Sequence, residues 1–278
     1  CRIKLYASMK NFLEIIWTAW CLFIAAIIVL LNLPLLVLFI FIWGKKENAF
    51  IDYYIRVCSR IILIFWGIKM IYIKDKKLDF KQPYIFVSNH RSYLDVFIAI
   101  LGIKQYKKFL GKAEIFDWPI IGYLANNLGH IPVKRESAEA RQESFQNILQ
   151  VAKSKTSLFL CPEGAIYMND KLLNEMRNGA FRVAIESQMP IVAITMVNAG
   201  ELFPPHKIRI RPGKCINYMS APFITTALKM EDLNSFRESV KEEILNNLLH
   251  HYPDGKYPIE FEPKEFVENI YQETQQKD

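Results

Sequence analysis

A long apolar run near the N-terminus, residues 12–43 (FLEIIWTAWCLFIAAIIVLLNLPLLVLFIFIW), constrains this chain more than any other segment. It contains one charged residue, Glu14. As a continuous helix the run would measure about 48 Å, which exceeds the ~30 Å hydrocarbon core of a bilayer. The run therefore predicts a membrane-associated helical element.

Proline interrupts this run at Asn32-Leu33-Pro34. Proline lacks a backbone donor and disfavours helix just before it, so residues 15–31 could almost span a bilayer and residues 34–43 could not. Basic residues flank the run on both sides, at Arg2, Lys4, Lys10, Lys45, Lys46, Arg56 and Arg60. Basic flanks stay cytoplasmic, which favours a re-entrant helical hairpin over a single tilted span.

Residues 50–66 read as an amphipathic helix with Arg56 and Arg60 on one face. Such a helix either lies on the membrane surface, with its basic face toward lipid headgroups, or packs against a protein core. We predict that residues 1–66 form the membrane-associated element, a hairpin followed by this helix.

After Gly67 the pattern changes to strands that alternate with helices. This alternation predicts an α/β domain over residues 67–278, with a largely parallel sheet flanked by helices, a C-terminal helix and a polar tail. The predicted strands cover residues 68–73, 84–88, 107–111, 130–133, 157–161, 190–197, 207–211 and 214–219. The predicted helices cover residues 93–102, 117–127, 138–154, 176–188 and 231–251.

The net charge of +7 arises from scattered lysines and arginines. Scattered basic residues favour an anionic surface or substrate over nucleic acid as the partner. The five cysteines show no CxxC pair, and no HExxH sequence is present. We therefore predict free thiols in a reducing compartment and no metal site.

The stretch FVSNHRSYLD, residues 86–95, places His90 and Asp95 five residues apart. On one regular helix the two side chains would point about 140° apart, so they could not meet. They can meet if His90 lies in a strand-to-helix turn and Asp95 in the first helical turn, after an N-cap at Ser92. This geometry permits a His–Asp dyad at the carboxyl edge of the sheet, where ligands bind. A turn histidine beside a capping carboxylate is the equally weighted alternative.

A His–Asp dyad takes a proton from a nucleophile, which belongs either to the protein or to the substrate. No GxSxG nucleophile sequence is present, and Cys161 ends an apolar strand, where a thiol is more often a packing residue. The remaining hypothesis is that His90 acts on a hydroxyl group of the substrate.

The segment NHRSYLD resembles the NHxxxxD signature of the glycerolipid and lysophospholipid acyltransferases. Further blocks follow in that family's order: GKAEIFDWPIIGYLANNLGHIPVKR, LFLCPEG and MPIVAITMV. The resemblance covers about residues 67–220 and implies a glycerolipid acyltransferase-like fold. It also implies transfer of an acyl group from acyl-CoA or acyl carrier protein to a lysolipid hydroxyl, at the cytoplasmic face of the inner (plasma) membrane, in phospholipid biosynthesis.

The same resemblance implies roles for individual residues, with no cofactor beyond the thioester co-substrate. His90 would be the general base and Asp95 would orient it. The implied substrate-binding residues are Lys112, Gly129, Arg135, Glu163 and Gly164. Lys112 and Arg135 would lie near the anionic headgroup, and Glu163 and Gly164 would shape the acceptor site. The expected partners are a membrane lipid acceptor, the thioester donor and the membrane surface.

One departure concerns the acceptor. The family's third block usually continues Glu-Gly-Thr-Arg, whereas this chain has Ala165 and Ile166 after Gly164. The missing arginine removes a phosphate contact worth roughly 1.5–3 kcal/mol. Lysophosphatidate remains the first expectation for the acceptor, and a lyso-aminolipid or another lysophospholipid is the alternative. The alternatives to an acyltransferase are a lipid esterase and a non-catalytic lipid-binding protein. Arg177 or Arg182 could compensate, and the sequence leaves both open.

Overall fold

The computed structural model describes residues 2–43, 49–205 and 207–258. The helices are Arg2–Trp43 (α1), Ala49–Phe65 (α2), Leu94–Gly102 (α3), Ile121–Asn127 (α4), Ala138–Lys153 (α5), Gly179–Ser187 (α6), Ala199–Leu202 (α7) and Leu233–His251 (α8). The strands are Ile68–Lys74 (β1), Ile85–Ser88 (β2), Lys107–Lys112 (β3), Ile131–Val133 (β4), Ser157–Leu160 (β5), Ile191–Met196 (β6) and Gly213–Met219 (β7).

The strands form one sheet in the order β1-β7-β6-β2-β5-β3-β4. Among these strands β6 and β7 pair antiparallel, and every other neighbouring pair is parallel. Every residue of β2 and β6 is buried, which is why both strands are apolar apart from Ser88 and Thr195. The structure thus confirms the predicted α/β fold with a largely parallel sheet.

Helices cover both faces of the sheet. Along β2, Ile85 and Val87 pack into a cluster with α5, α6 and α8, while Phe86 packs into a second cluster with α1, α2 and α3. This alternation is the two-residue period of a strand buried on both sides. The turn that carries His90 follows directly after the carboxyl end of β2.

The strand predicted at residues 207–211 is wrong, because this segment binds α1 instead of joining the sheet. The backbone N–H of Ile210 donates to Thr18 Oγ1 at 3.0 Å. The guanidinium of Arg211 pairs with the Glu14 carboxylate at 3.3 Å. Alternating apolar and basic residues imitate a strand in sequence, but here the basic residues serve the helix contact.

The helix reversal predicted at Asn32–Pro34 is also wrong, since α1 continues through Pro34 as one helix. An interior proline costs roughly 3 kcal/mol and removes one backbone hydrogen bond of the helix, whereas a reversal within lipid would leave several backbone groups unpaired. The chain reverses later, because α2 packs antiparallel to α1. Phe39 contacts Phe50 and Tyr54 at ring distances of 5.0 and 5.3 Å. The hairpin therefore consists of α1 and α2, and the connecting residues 44–48 lie outside the described ranges.

Helix α1 is long and apolar enough over Asn11–Ile42 to cross a membrane, and only 11% of its most apolar window is buried. Its first half nevertheless belongs to the core of the α/β domain. The indole N–H of Trp66 donates to the carbonyl of Cys21 at 2.8 Å. The helix thus has the length and composition of a membrane anchor and is also a packing element.

Candidate active site

His90 lies in the turn between β2 and α3, and Asp95 lies in the first turn of α3. The two side chains meet, with His90 Nδ1 2.6 Å from Asp95 Oδ2. Ser92 Oγ accepts a hydrogen bond from the N–H of Leu94 at 3.0 Å, although the N-cap of α3 is Tyr93, one residue later than predicted. The contact predicted from the five-residue spacing is present.

Asp95 Oδ2 serves both roles that the sequence left open. Besides His90, it accepts hydrogen bonds from the backbone N–H groups of Arg91 at 3.0 Å and Ser92 at 3.2 Å. The Asp95 side chain is 2% exposed, whereas that of His90 is 27% exposed. Asp95 therefore caps the turn and fixes the imidazole, while the ring remains reachable from outside.

The electrostatic environment of His90 favours its protonated form. Burial of the ring acts to lower the pKa of His90, but Cys161 in its thiolate form and the Asp95 carboxylate, each also hydrogen-bonded to the ring, more than offset it, so the pKa lies above its ordinary value. Because Nδ1 is bound to Asp95, Nε2 is the nitrogen that can exchange a proton with a substrate. The neutral form of His90, which the raised pKa makes a stronger base, can act as a general base.

Two buried polar side chains hold the backbone of the turn. Asn89 bonds both the N–H and the carbonyl of Met196, each at 2.8 Å. Glu163 Oε1 accepts the His90 N–H at 2.7 Å, and its Oε2 accepts the backbone and side-chain amides of Asn174 at 3.0 and 2.7 Å. Glu163 is 0% exposed and holds the backbone of His90, so it positions the histidine; its part in shaping the acceptor site stays a prediction.

Sequence reasoning missed the positioning roles of Asn89 and Asn174. Asn89 stands beside His90 inside the signature, which was an available signal. Nothing in the sequence around Asn174 distinguishes it from an ordinary loop residue.

The basic residues predicted to bind the acceptor lie at the carboxyl edge of the sheet. Lys112 ends β3, and Arg135 follows β4, which pairs with β3. Arg135 Nη1 donates to the carbonyl of Gly164 at 2.6 Å. Lys112 is well exposed and pairs with Glu114 at 2.8 Å. Arg135 and Gly164 are thus brought together, with Lys112 on a neighbouring strand.

Gly129 lies apart from the other predicted acceptor-binding residues, and its substrate contact stays a prediction. It precedes β4 and therefore lies toward the amino edge of that strand, away from the His90 edge. Its φ of +70° and the bond from its N–H to the carbonyl of Asn126 at 3.1 Å identify it as the glycine that ends α4. Its role is to turn the chain.

Cys161 is closer to the dyad than a packing thiol needs to be. Its Sγ lies 3.3 Å from Ser88 Oγ, two residues before His90, because β2 and β5 are neighbours. The sequence interpretation of Cys161 as a packing residue is thus incomplete. Within the described ranges, no cluster of three or more His, Cys, Asp or Glu side chains is arranged to hold a metal ion.

Comparison with known proteins supports the motif assignment. Residues 69–197 match the family model Acyltransferase. A chloroplast 1-acyl-sn-glycerol-3-phosphate acyltransferase of Brassica napus is 33% identical over 122 residues, which are 44% of this chain and 35% of that protein. A 1-acyl-sn-glycerol-3-phosphate acyltransferase of Saccharomyces cerevisiae is 25% identical over 60% of this chain and 56% of its own length. The chain thus spans about a third of the Brassica relative and over half of the yeast relative.

The fold has a solved counterpart. The crystal structure of the 1-acyl-sn-glycerophosphate acyltransferase PlsC of Thermotoga maritima superimposes with a TM-score of 0.72. The match covers 86% of this chain and 97% of that chain at 14% identity, so it bears on the fold alone. Together with the matched domain and the ordered motifs, it leads to one conclusion. Residues 69–197 form a domain that matches the Acyltransferase family in sequence, within a chain that has the PlsC fold.

Proposed function

We propose that this protein is a membrane-bound O-acyltransferase that moves an acyl chain from acyl-CoA or acyl carrier protein to a lysophospholipid hydroxyl. Lysophosphatidate is the proposed acceptor and phosphatidate the product. The observation that carries the proposal is the 2.6 Å contact between His90 and Asp95 at the carboxyl edge of the sheet. The names of the Brassica and yeast relatives support the choice of acceptor.

The proposed reaction uses His90 as the general base. Nε2 takes the proton of the acceptor hydroxyl while its oxygen attacks the thioester carbonyl carbon. The tetrahedral intermediate then collapses, the carbon–sulfur bond breaks, and the leaving thiolate takes the proton from the imidazolium. Asp95 keeps Nδ1 protonated and stabilises the imidazolium during the step. Glu163 holds the His90 backbone in place.

An apolar cavity between the N-terminal helices and the α/β domain supports a lipid substrate. It has a volume of about 340 Å³ and extends from α3 to the amino end of β3, where Lys107 lines it. Val96 and Phe97, which follow Asp95 in α3, line it together with Ile28 and Leu36 of α1. A cavity lined in this way suits a hydrocarbon chain. We therefore assign it to an acyl chain of the substrates.

The proposal is tested with the full chain in detergent micelles. Thiol release from acyl-CoA and from acyl carrier protein is followed with lysophosphatidate, glycerol 3-phosphate, lysophosphatidylethanolamine or a lyso-ornithine lipid. The expected result is thiol release that depends on lysophosphatidate, with one phosphatidate formed per thiol. Lipid consumption without a donor would indicate an esterase, and lipid binding without thiol release would indicate a non-catalytic protein; either result contradicts the proposal.

A further inference from the structure

The segment that follows α8, residues 252–257, crosses the carboxyl edge of the sheet, and we call it the strap. The backbone N–H of Tyr257 donates to the carbonyl of Asp170, in the loop after β5, at 2.7 Å. The Tyr257 hydroxyl accepts the N–H of Gly200, in α7 after β6, at 3.1 Å. Because β5 and β6 are the two neighbours of β2, the strap joins the segments on either side of the His90 turn.

Tyr257 also covers Arg91, the residue after His90. The guanidinium carbon of Arg91 lies 5.0 Å from the centre of the Tyr257 ring, and Arg91 is 3% exposed. Its Nη1 donates to the carbonyls of Tyr167 and Asn169 at 3.0 and 3.2 Å. Its Nε and Nη2 are buried and have no hydrogen-bond partner in the described part of the chain. The face of the aromatic ring is therefore an important part of what stabilises this buried cation.

Gly200 permits the close approach of the strap to the turn. A Cβ at this position would lie 2.9 Å from the Tyr257 hydroxyl oxygen and 3.0 Å from the Arg91 carbonyl oxygen. Both distances are shorter than an ordinary van der Waals contact. A side chain at position 200 would thus push the strap and the Arg91 backbone apart.

Arg91 is bonded directly to the dyad. Its backbone N–H donates at 3.0 Å to Asp95 Oδ2, the oxygen that lies 2.6 Å from His90 Nδ1. A displacement of Arg91 would therefore loosen the carboxylate and, with it, the orientation of the imidazole. Tyr257 reaches the dyad through this one residue.

We infer that Tyr257 is a positioning residue of the active site, which holds Arg91 in the turn and thereby keeps Asp95 against His90. The inference rests on the proposed function, in which His90 is the general base. Tyr257 lies beyond residues 69–197, which match the family model, so this support comes from outside the matched domain. Among the described residues that line the apolar cavity, Tyr257 is absent. Its loss should therefore act on kcat and leave KM unchanged.

The kinetic test follows thiol release with lysophosphatidate by variants of the full chain in detergent micelles. Tyr257→Leu removes the ring over Arg91 and should lower kcat by roughly 10- to 100-fold, as a misplaced base does. Tyr257→Phe keeps the ring and should retain most of the wild-type kcat. Gly200→Ala keeps Tyr257 but separates it from the turn, so its kcat should fall as well.

The stability control is Ile244→Ala, which removes a fully buried side chain of α8 from the cluster that also contains Tyr257. It should lower the unfolding temperature and keep the wild-type kcat. A Tyr257→Leu protein with the wild-type kcat would overturn the inference. An equal loss of kcat in Ile244→Ala would do the same, because it would make the effect one of stability.

A double-mutant cycle tests whether Tyr257 acts through the dyad. If it does, adding Tyr257→Leu to Asp95→Asn should lower kcat much less than Tyr257→Leu lowers that of the wild type. Two effects that simply multiply would mean that the strap acts independently of Asp95, which contradicts the inference.

Nitrogen NMR of protein with isotope-labelled histidine separates the inference from the proposed function. The ring signals of His90, assigned by their loss in His90→Ala, report which nitrogen carries the proton. Tyr257→Leu should shift them toward a mixture of tautomers, whereas Tyr257→Phe and Ile244→Ala should leave them in place. Signals that do not move in Tyr257→Leu overturn the inference. A wild type without thiol release contradicts the proposed function alone, and the His90 signals then decide the inference.

Discussion

At the scale of single residues, one carboxylate oxygen organises the site. Asp95 Oδ2 receives the His90 ring and two backbone N–H groups. The sequence could predict the pairing of His90 with Asp95, because a strand end and a capping serine fix where the turn must lie. It could not predict that Glu163 accepts the His90 N–H, since the two residues stand 73 positions apart along the chain.

Asp95→Asn tests the electrostatic part of this arrangement. The Asp95 carboxylate helps to raise the pKa of His90, so its loss should lower that pKa. The base form of His90 then appears at lower pH, and the rising limb of kcat/KM against pH should move to lower pH. The plateau should fall by roughly 10- to 100-fold, because the imidazolium loses its partner. An unmoved limb would contradict the dyad.

Cys161 provides a second test at this scale. Its thiol lies beside His90, so alkylation with N-ethylmaleimide should place a bulky group against the base and abolish turnover. Cys161→Ala should resist the reagent. Cys58→Ala, which removes a partly buried thiol of α2, should remain as sensitive as the wild type. Equal sensitivity of all three proteins would place the inactivation elsewhere.

At the scale of elements, an ion pair ties the N-terminal hairpin to the sheet. Lys107 Nζ of β3 contacts Asp52 Oδ1 of α2 at 2.9 Å, and the lysine side chain is 0% exposed. Burial lowers the pKa of Lys107 to about 8, and Asp52 opposes that shift. Lys107 reads as an ordinary charge at a strand end, so its partner could not be predicted. The fully buried strands were predictable from their largely apolar runs.

Asp52→Ala should lower the free energy of unfolding by about 3 kcal/mol, because it leaves a buried ammonium group without its carboxylate. The loss should be larger below the pKa of Lys107 than above it, where the lysine is neutral. The control is Glu143→Ala, which breaks a solvent-exposed pair with Lys134 and should cost at most about 1 kcal/mol. Denaturant unfolding in micelles measures both. Equal losses would show that the pair does not couple α2 to β3.

At the scale of the whole molecule, α1 combines an exposed apolar surface with contacts to the core of the α/β domain. Its exposed apolar side chains include Leu31 and Phe41, while Cys21 lies in the core cluster with Trp66. The sequence indicated the apolar element but not that it continues through Pro34. The tendency of proline to break a helix is local, and the backbone hydrogen bonds of a long helix outweigh it. It also could not indicate that the segment 207–211 serves α1.

Membrane association through this helix should resist salt. Ionic attraction to lipid is screened at about 1 M salt, where the Debye length is about 3 Å, whereas apolar insertion is not. The full chain reconstituted with liposomes should therefore float with them after a wash in 1 M NaCl. Release into the wash would mean that the basic surface, and not α1, carries the association.

The first measurement to make is the rate of acceptor-dependent thiol release by His90→Ala beside the wild type. With lysophosphatidate present, we expect a fall of roughly 10²- to 10⁴-fold, the usual contribution of a positioned general base. An unchanged thermal unfolding curve would show that the fold is retained. A His90→Ala protein that keeps most of the wild-type rate would contradict the assignment of His90 as the base.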